Sequence, residues 1–90
     1  MEFEWDENKN KLNQQKHGIR FEDAIHIFDD ENRIEQPDDR MDYGENRWKT
    51  IGLIFGIVSS VIYTIRNVAI RIISARRASQ KEREEYYNQP

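Results

Sequence analysis

Trp48-Lys49-Thr50-Ile51-Gly52-Leu53-Ile54, then Ser60-Val61-Ile62-Tyr63-Thr64-Ile65 beyond Gly56, then Val68-Ala69-Ile70-Arg71-Ile72-Ile73-Ser74-Ala75 beyond Arg66-Asn67, is the stretch that decides the fold. β-Branched and aromatic residues make up half or more of each run, and the separators, a glycine and an Arg-Asn pair, are of the kind that close hairpins. The stretch reads as a β-meander. Its apolar part, Ile51 to Ile65, holds Thr, Ser and two glycines in 15 residues. A membrane-crossing helix needs roughly 20, so the run is assigned to buried strands.

Towards the N-terminus, Phe3 and Trp5 alternate with acids in the period-2 pattern of a short, half-buried strand, and Asp6 stands where a helix cap is expected. The spacing predicts a helix over 7–17, with Leu12 as its main apolar anchor and Gly18 as a left-handed C-terminal cap. Phe21, Ala24, Ile25 and Phe28 fall on one stripe of a second helix that ends at about Asp29. Residues 31–46, acidic and punctuated by Pro37 and Gly44, predict an edge strand around Arg33–Glu35 and then a solvated loop. Towards the C-terminus, Ser79-Gln80-Lys81-Glu82 has capping-box spacing and opens a last helix through about Tyr87. The expected fold is α+β: N-terminal helices and a C-terminal helix packed on a small antiparallel β-meander sheet, one domain over 1–90.

The charge distribution is polar. Net charge is -3, yet no Asp or Glu occurs from Asn46 to Lys81, where Arg47, Lys49, Arg66, Arg71, Arg76, Arg77 and Lys81 all lie. The acidic balance argues against a generic nucleic-acid coat and leaves a local basic patch. With no cysteine there are no disulfides or thiolate metal sites, and the acidic start, Met1-Glu2-Phe3-Glu4-Trp5-Asp6, is unlike a secretory signal. Both fit a cytoplasmic protein that needs no membrane.

Arg71, Arg76 and Arg77 bring three guanidinium groups to one strand and its end, a ready anchor for phosphate. The competing reading is that acids elsewhere neutralise them in surface ion pairs worth at most about 1 kcal/mol each. Arg47 and Lys49 add to the anion reading. His17, after Lys16, is either a cation facing the end of its helix dipole or a proton carrier. His26 and Asp30 have chelating spacing but lack a third ligand. Trp5 and Trp48 are read as core aromatics, and Tyr63 either bonds within the sheet or lines a cleft. No Ser-His-Asp order, phosphate loop or paired Cys motif is present.

Phe3-Glu4-Trp5-Asp6, Lys16-His17-Gly18, Phe21-Glu22-Asp23-Ala24, Phe28-Asp29, Asp42-Tyr43-Gly44-Glu45 with Arg47-Trp48, and Arg71-Ile72-Ile73-Ser74-Ala75-Arg76-Arg77-Ala78 together resemble, in order and spacing, the BrnT family of toxins. The resemblance spans nearly the whole chain. It implies a RelE-like ribonuclease fold, RNA as substrate, inhibition of translation, and neutralisation by a BrnA-type ribbon-helix-helix antitoxin whose complex binds operator DNA. It also implies metal-independent cleavage with no cofactor. Arg71, Arg76, Arg77 and Arg47 are then the expected phosphate and transition-state clamp. Lys16, His17 and Tyr63 are candidates for proton transfer, and Lys49, Arg66 and Lys81 are further phosphate contacts. The rival from another class is a non-catalytic, toxin-like module acting mainly in a DNA-binding repressor complex.

Overall fold

The computed structural model describes residues 1–90 as β1 (Glu2–Glu4), α1 (Glu7–His17), α2 (Phe21–Ala24) running into a 3₁₀ turn (Ile25–Asp29), β2 (Ile34–Pro37), β3 (Trp48–Ile54), β4 (Ile57–Arg66), β5 (Ala69–Arg77) and α3 (Gln80–Tyr87). The five strands form one sheet in the order β1-β5-β4-β3-β2. The meander β3–β4–β5 is as expected, and its first hairpin turns through Phe55 and Gly56, both at positive φ (49° and 80°). Such a turn twists with the strands it joins. The second turn takes Asn67 at φ 56°, one residue further on than the Arg66-Asn67 tip expected.

One expectation is corrected: the sheet is mixed, because β1 pairs in parallel with β5 while every other pairing is antiparallel. β1 lies beside the last strand of the meander, with α1 through β4 as the long crossover a parallel pair requires.

Alternation along the strands gives the sheet two different faces. Under α1, α2 and the 3₁₀ turn lie Val61, Tyr63, Ile70, Ile72, Ala75 and Ile54, packed with Phe21, Ala24 and Ile27 and flanked by Phe3, Trp5 and Trp48. Both tryptophans thus pack against the core from its margin, partly buried. On the opposite face α3 covers one end only, where Ala78 and Tyr86 meet Ile51 and Val58. The rest of that face is not covered by a helix.

α1 docks in an unexpected way. Leu12 is 64% exposed, whereas Asn10 and Asn13 are buried. β1 pairs only as far as Arg71, so the outer edge of β5 would be bare at Ala75. There Asn13 Oδ1 accepts from Ala75 N–H (3.0 Å) and Asn13 Nδ2 donates to Ala75 O (2.8 Å) and to Ile19 O (2.9 Å). The side-chain amide thus replaces a strand. Asn10 does the same for α2, its Oδ1 accepting from the Phe21 amide (2.8 Å) that Arg20 leaves uncapped. Buried polar groups persist when bonded this completely.

At the other edge, β2 stops pairing at Ile51, and the Asp30 carboxylate takes over, accepting from Leu53 N (2.9 Å), Asn32 N (2.9 Å) and the Tyr86 hydroxyl (2.6 Å). Burial works against this carboxylate's charge, but those bonds prevail and hold its pKa low. Burial, and then the same contact with Asp30, push the Tyr86 phenol up to about 12. Gly52 admits the close approach: a Cβ there would sit 2.9 Å from Arg33 Cβ and 3.1 Å from Ile27 Cγ1. Gly52→Ala is therefore expected to destabilise by about 1–3 kcal/mol, lowering Tm by roughly 4–8 °C per kcal/mol. An unchanged calorimetric Tm would contradict this.

Candidate functional site

β5 carries one extra residue. Ile62 pairs with Ser74 but Tyr63 with Ile72, so Ile73 bulges and resets the alternation. The bulge places Arg71, Ser74 and Arg76 on the face that α3 partly covers and sends Arg77 to the other. The three arginines therefore do not form one cluster.

On the face that α3 only partly covers lies a cleft of about 430 Å³ whose floor is Gln36, Lys49, Ile62, Ser60, Ser74 and Arg76, from four adjacent strands. One wall is the end of α1, with Lys16 and His17; the other is Pro37, the last residue of β2, and residues 38–40 after it. Gly18, at φ 72°, ends α1 and leaves its two last-turn basic residues at the rim. Of the residues singled out from sequence, the fold thus brings together Lys16, His17, Lys49 and Arg76. Ser60 lies opposite Arg76, and its buried Oγ has no hydrogen-bond partner.

Glu82, from the first turn of α3, organises the cations. Its side chain is 6% exposed and makes a bidentate pair with Arg76 (2.7 and 3.1 Å) and an ion pair with Lys49 (2.9 Å). It also closes the capping box on Ser79 N–H (2.9 Å), which Ser79 Oγ completes by accepting from Glu82 N–H. Burial would raise its pKa, but Arg76, the Ser79 amide and Lys49 outweigh burial and bring the carboxyl down to about 2. Donors remain. Arg76 gives Glu82 two N–H groups and the Arg77 carbonyl a third (3.1 Å), leaving two of its five; Lys49 has two of three left.

The other residues lie elsewhere. Arg71 shares the face but pairs with Glu4 (3.1 Å) near β1. Arg47 pairs with Glu45 (3.0 Å) and stacks 3.9 Å over the Tyr43 ring, at the base of a loop closed by Asp38 N–H to Arg47 O (2.8 Å). Arg66 reaches the same Glu45 at 3.7 Å, and Lys81 is exposed in the first turn of α3. Tyr63 sits beneath the helices on the far face and donates to Glu35 (2.6 Å); burial, and then Glu35, push its phenol above its ordinary value. Asp30 is used up by its structural bonds while His26 lies 3.4 Å from Asp29, and no three His, Cys, Asp or Glu side chains converge into a group that could hold a metal.

Four lining residues escape a linear reading: Gln36, Asp38, Ser60 and Ser74. Asp38 is almost fully buried; Arg40, bound to it at 2.7 and 3.1 Å, holds its carboxyl below the ordinary range. Strand register joins Gln36, Ser60 and Ser74 to the cations, and the Asp38 N–H bond to Arg47 O brings Asp38 beside them.

No helix is long and apolar enough to cross a membrane. No curated protein matches the chain. Residues 5–82 match the family described as the ribonuclease toxin BrnT of type II toxin–antitoxin systems. That span runs from Trp5 to Glu82 and takes in the whole lining of the cleft together with the carboxylate that braces its cations, so the chain belongs to the BrnT family of ribonuclease toxins.

Proposed function

We propose that this chain is a metal-independent endoribonuclease that works in the cytoplasm in the cleft between α1 and the Pro37–Arg40 segment, and that it blocks translation until a BrnA-type ribbon-helix-helix antitoxin neutralises it, the complex also binding operator DNA. The observation that carries this reading is the convergence of Lys16, His17, Lys49 and Arg76, from three separate elements, on one concave surface. Cleavage without a metal requires a base to take the 2′-hydroxyl proton as that oxygen attacks phosphorus. It also requires an acid to protonate the departing 5′-oxygen, and donors for the charge that grows on the phosphoryl oxygens. Arg76 and Lys49 supply the donors, with the orphaned Ser60 hydroxyl beneath them. His17 is the proton carrier best placed, since its ring stands at the cleft wall and an imidazole has one nitrogen to accept a proton and one to donate it.

One observation favours the rival, a non-catalytic module: Glu82 already satisfies part of Arg76 and Lys49. Incubation with mixed RNA in EDTA at low salt separates the two. Fragments ending in 2′,3′-cyclic phosphate are expected. Intact RNA, with tight antitoxin binding, would favour the module or a toxin that cuts only on the ribosome.

A further inference from the structure

Across the rim from the cleft lies a second, smaller depression of about 240 Å³, bounded by His17, Ile19, Asp23, Phe55, Ile57 and Arg77. His17 lines both hollows. Two residues here are unexplained by folding. Arg77 is the one arginine whose side chain makes neither an ion pair nor a hydrogen bond; the nearby Asp23 is engaged by Arg20 at 3.2 and 3.3 Å. Phe55 is 68% exposed at φ 49°, a backbone state that suits Asn, Asp or Gly and penalises an aromatic residue. Its ring touches His26, with centroids 5.1 Å apart, and contributes nothing to either core cluster.

We infer that this depression is a nucleotide subsite adjoining the cleft, in which a base of single-stranded RNA stacks on Phe55 and an adjacent phosphate pairs with Arg77. The inference rests on the ribonuclease reading and extends it by one nucleotide. A hollow smaller than the about 300–1,000 Å³ of a drug-sized pocket suits a single flat ring. An exposed aromatic beside an unpaired guanidinium is the pairing single-stranded nucleic acid requires, a surface for the base and a charge for its phosphate. Because His17 faces both hollows, a strand bound in the subsite leads its next phosphate past the imidazole into the cleft.

The test is binding of a short 2′-O-methyl RNA, which cannot be cleaved at its blocked 2′-oxygens, followed by fluorescence anisotropy. Phe55→Asn removes the ring while fitting the left-handed turn, so the hairpin stays folded. It is expected to weaken binding by about fivefold to a hundredfold, and Phe55→Trp to retain it. Arg77→Ala is expected to weaken binding and to flatten the log–log salt slope by about 0.7. Parental affinity in both Phe55→Asn and Arg77→Ala, with binding lost in Lys49→Ala, overturns the subsite alone. RNA that fails to bind the parent chain overturns the cleft and the subsite together. If Phe55→Asn loses the antitoxin and keeps RNA, the depression is a protein-docking surface and the nucleotide assignment fails.

Discussion

Arg76→Ala is expected to reduce RNA cleavage by about 10²–10³-fold, the loss that follows removal of one preorganised donor from a developing oxyanion. The same change destabilises the fold, because Glu82 is left buried with only Lys49 and the Ser79 amide. Stranding one member of a buried pair costs about 3–5 kcal/mol. The two remaining partners put this case at the lower end. A single variant therefore mixes two effects, which the pair Arg76→Gln with Glu82→Gln separates. Both charges disappear together, so the double variant is expected to regain most of the lost stability and still not cleave. A double variant that melts like the parent and cleaves at the parental rate would remove Arg76 from the site.

This coupling also explains what was legible in the sequence. α1 was readable to the residue, because its Asp6 cap and Gly18 terminator are local signals. The meander was readable from β-branched runs. What holds α1 was not, since Asn13 works by meeting Ala75, 62 positions away, and Leu12 only looked like an anchor. Nor did any local signal mark the bulge at Ile73, which decides the face on which Arg71 and Arg76 lie. The acid-free stretch from Asn46 to Lys81 suggested an unpaired basic half. Instead, acids from both flanks fold back onto it: Glu4 to Arg71, Glu45 to Arg47 and Arg66, Glu82 to Arg76 and Lys49. Charge segregated along the chain is interleaved in space, which is why the ion-pair reading holds for most of these cations and the anion-site reading survives in one cleft and at Arg77.

Glu82→Gln is the variant in which stability and RNA binding are expected to move in opposite directions. In the folded chain this carboxyl has a pKa of about 2 against an ordinary 4.5. A depressed carboxyl stabilises the fold at pH values above its unfolded value, and that contribution fades as pH falls from about 4.5 towards 2. At neutral pH the variant should be less stable by about 3 kcal/mol, and in urea melts the gap should narrow below about pH 4.5 and close towards pH 2. Its affinity for uncleavable RNA should rise, because Arg76 and Lys49 no longer divide their donors between a carboxylate and a phosphate. Each cation that gains a phosphate steepens the log–log salt slope by about 0.7, and two are available. Weaker binding would give Glu82 the opposite role, a brace that aims Arg76 at the phosphate. Helix α3 would then be part of the clamp, and any antitoxin that dislodged α3 would inactivate the toxin without covering the cleft.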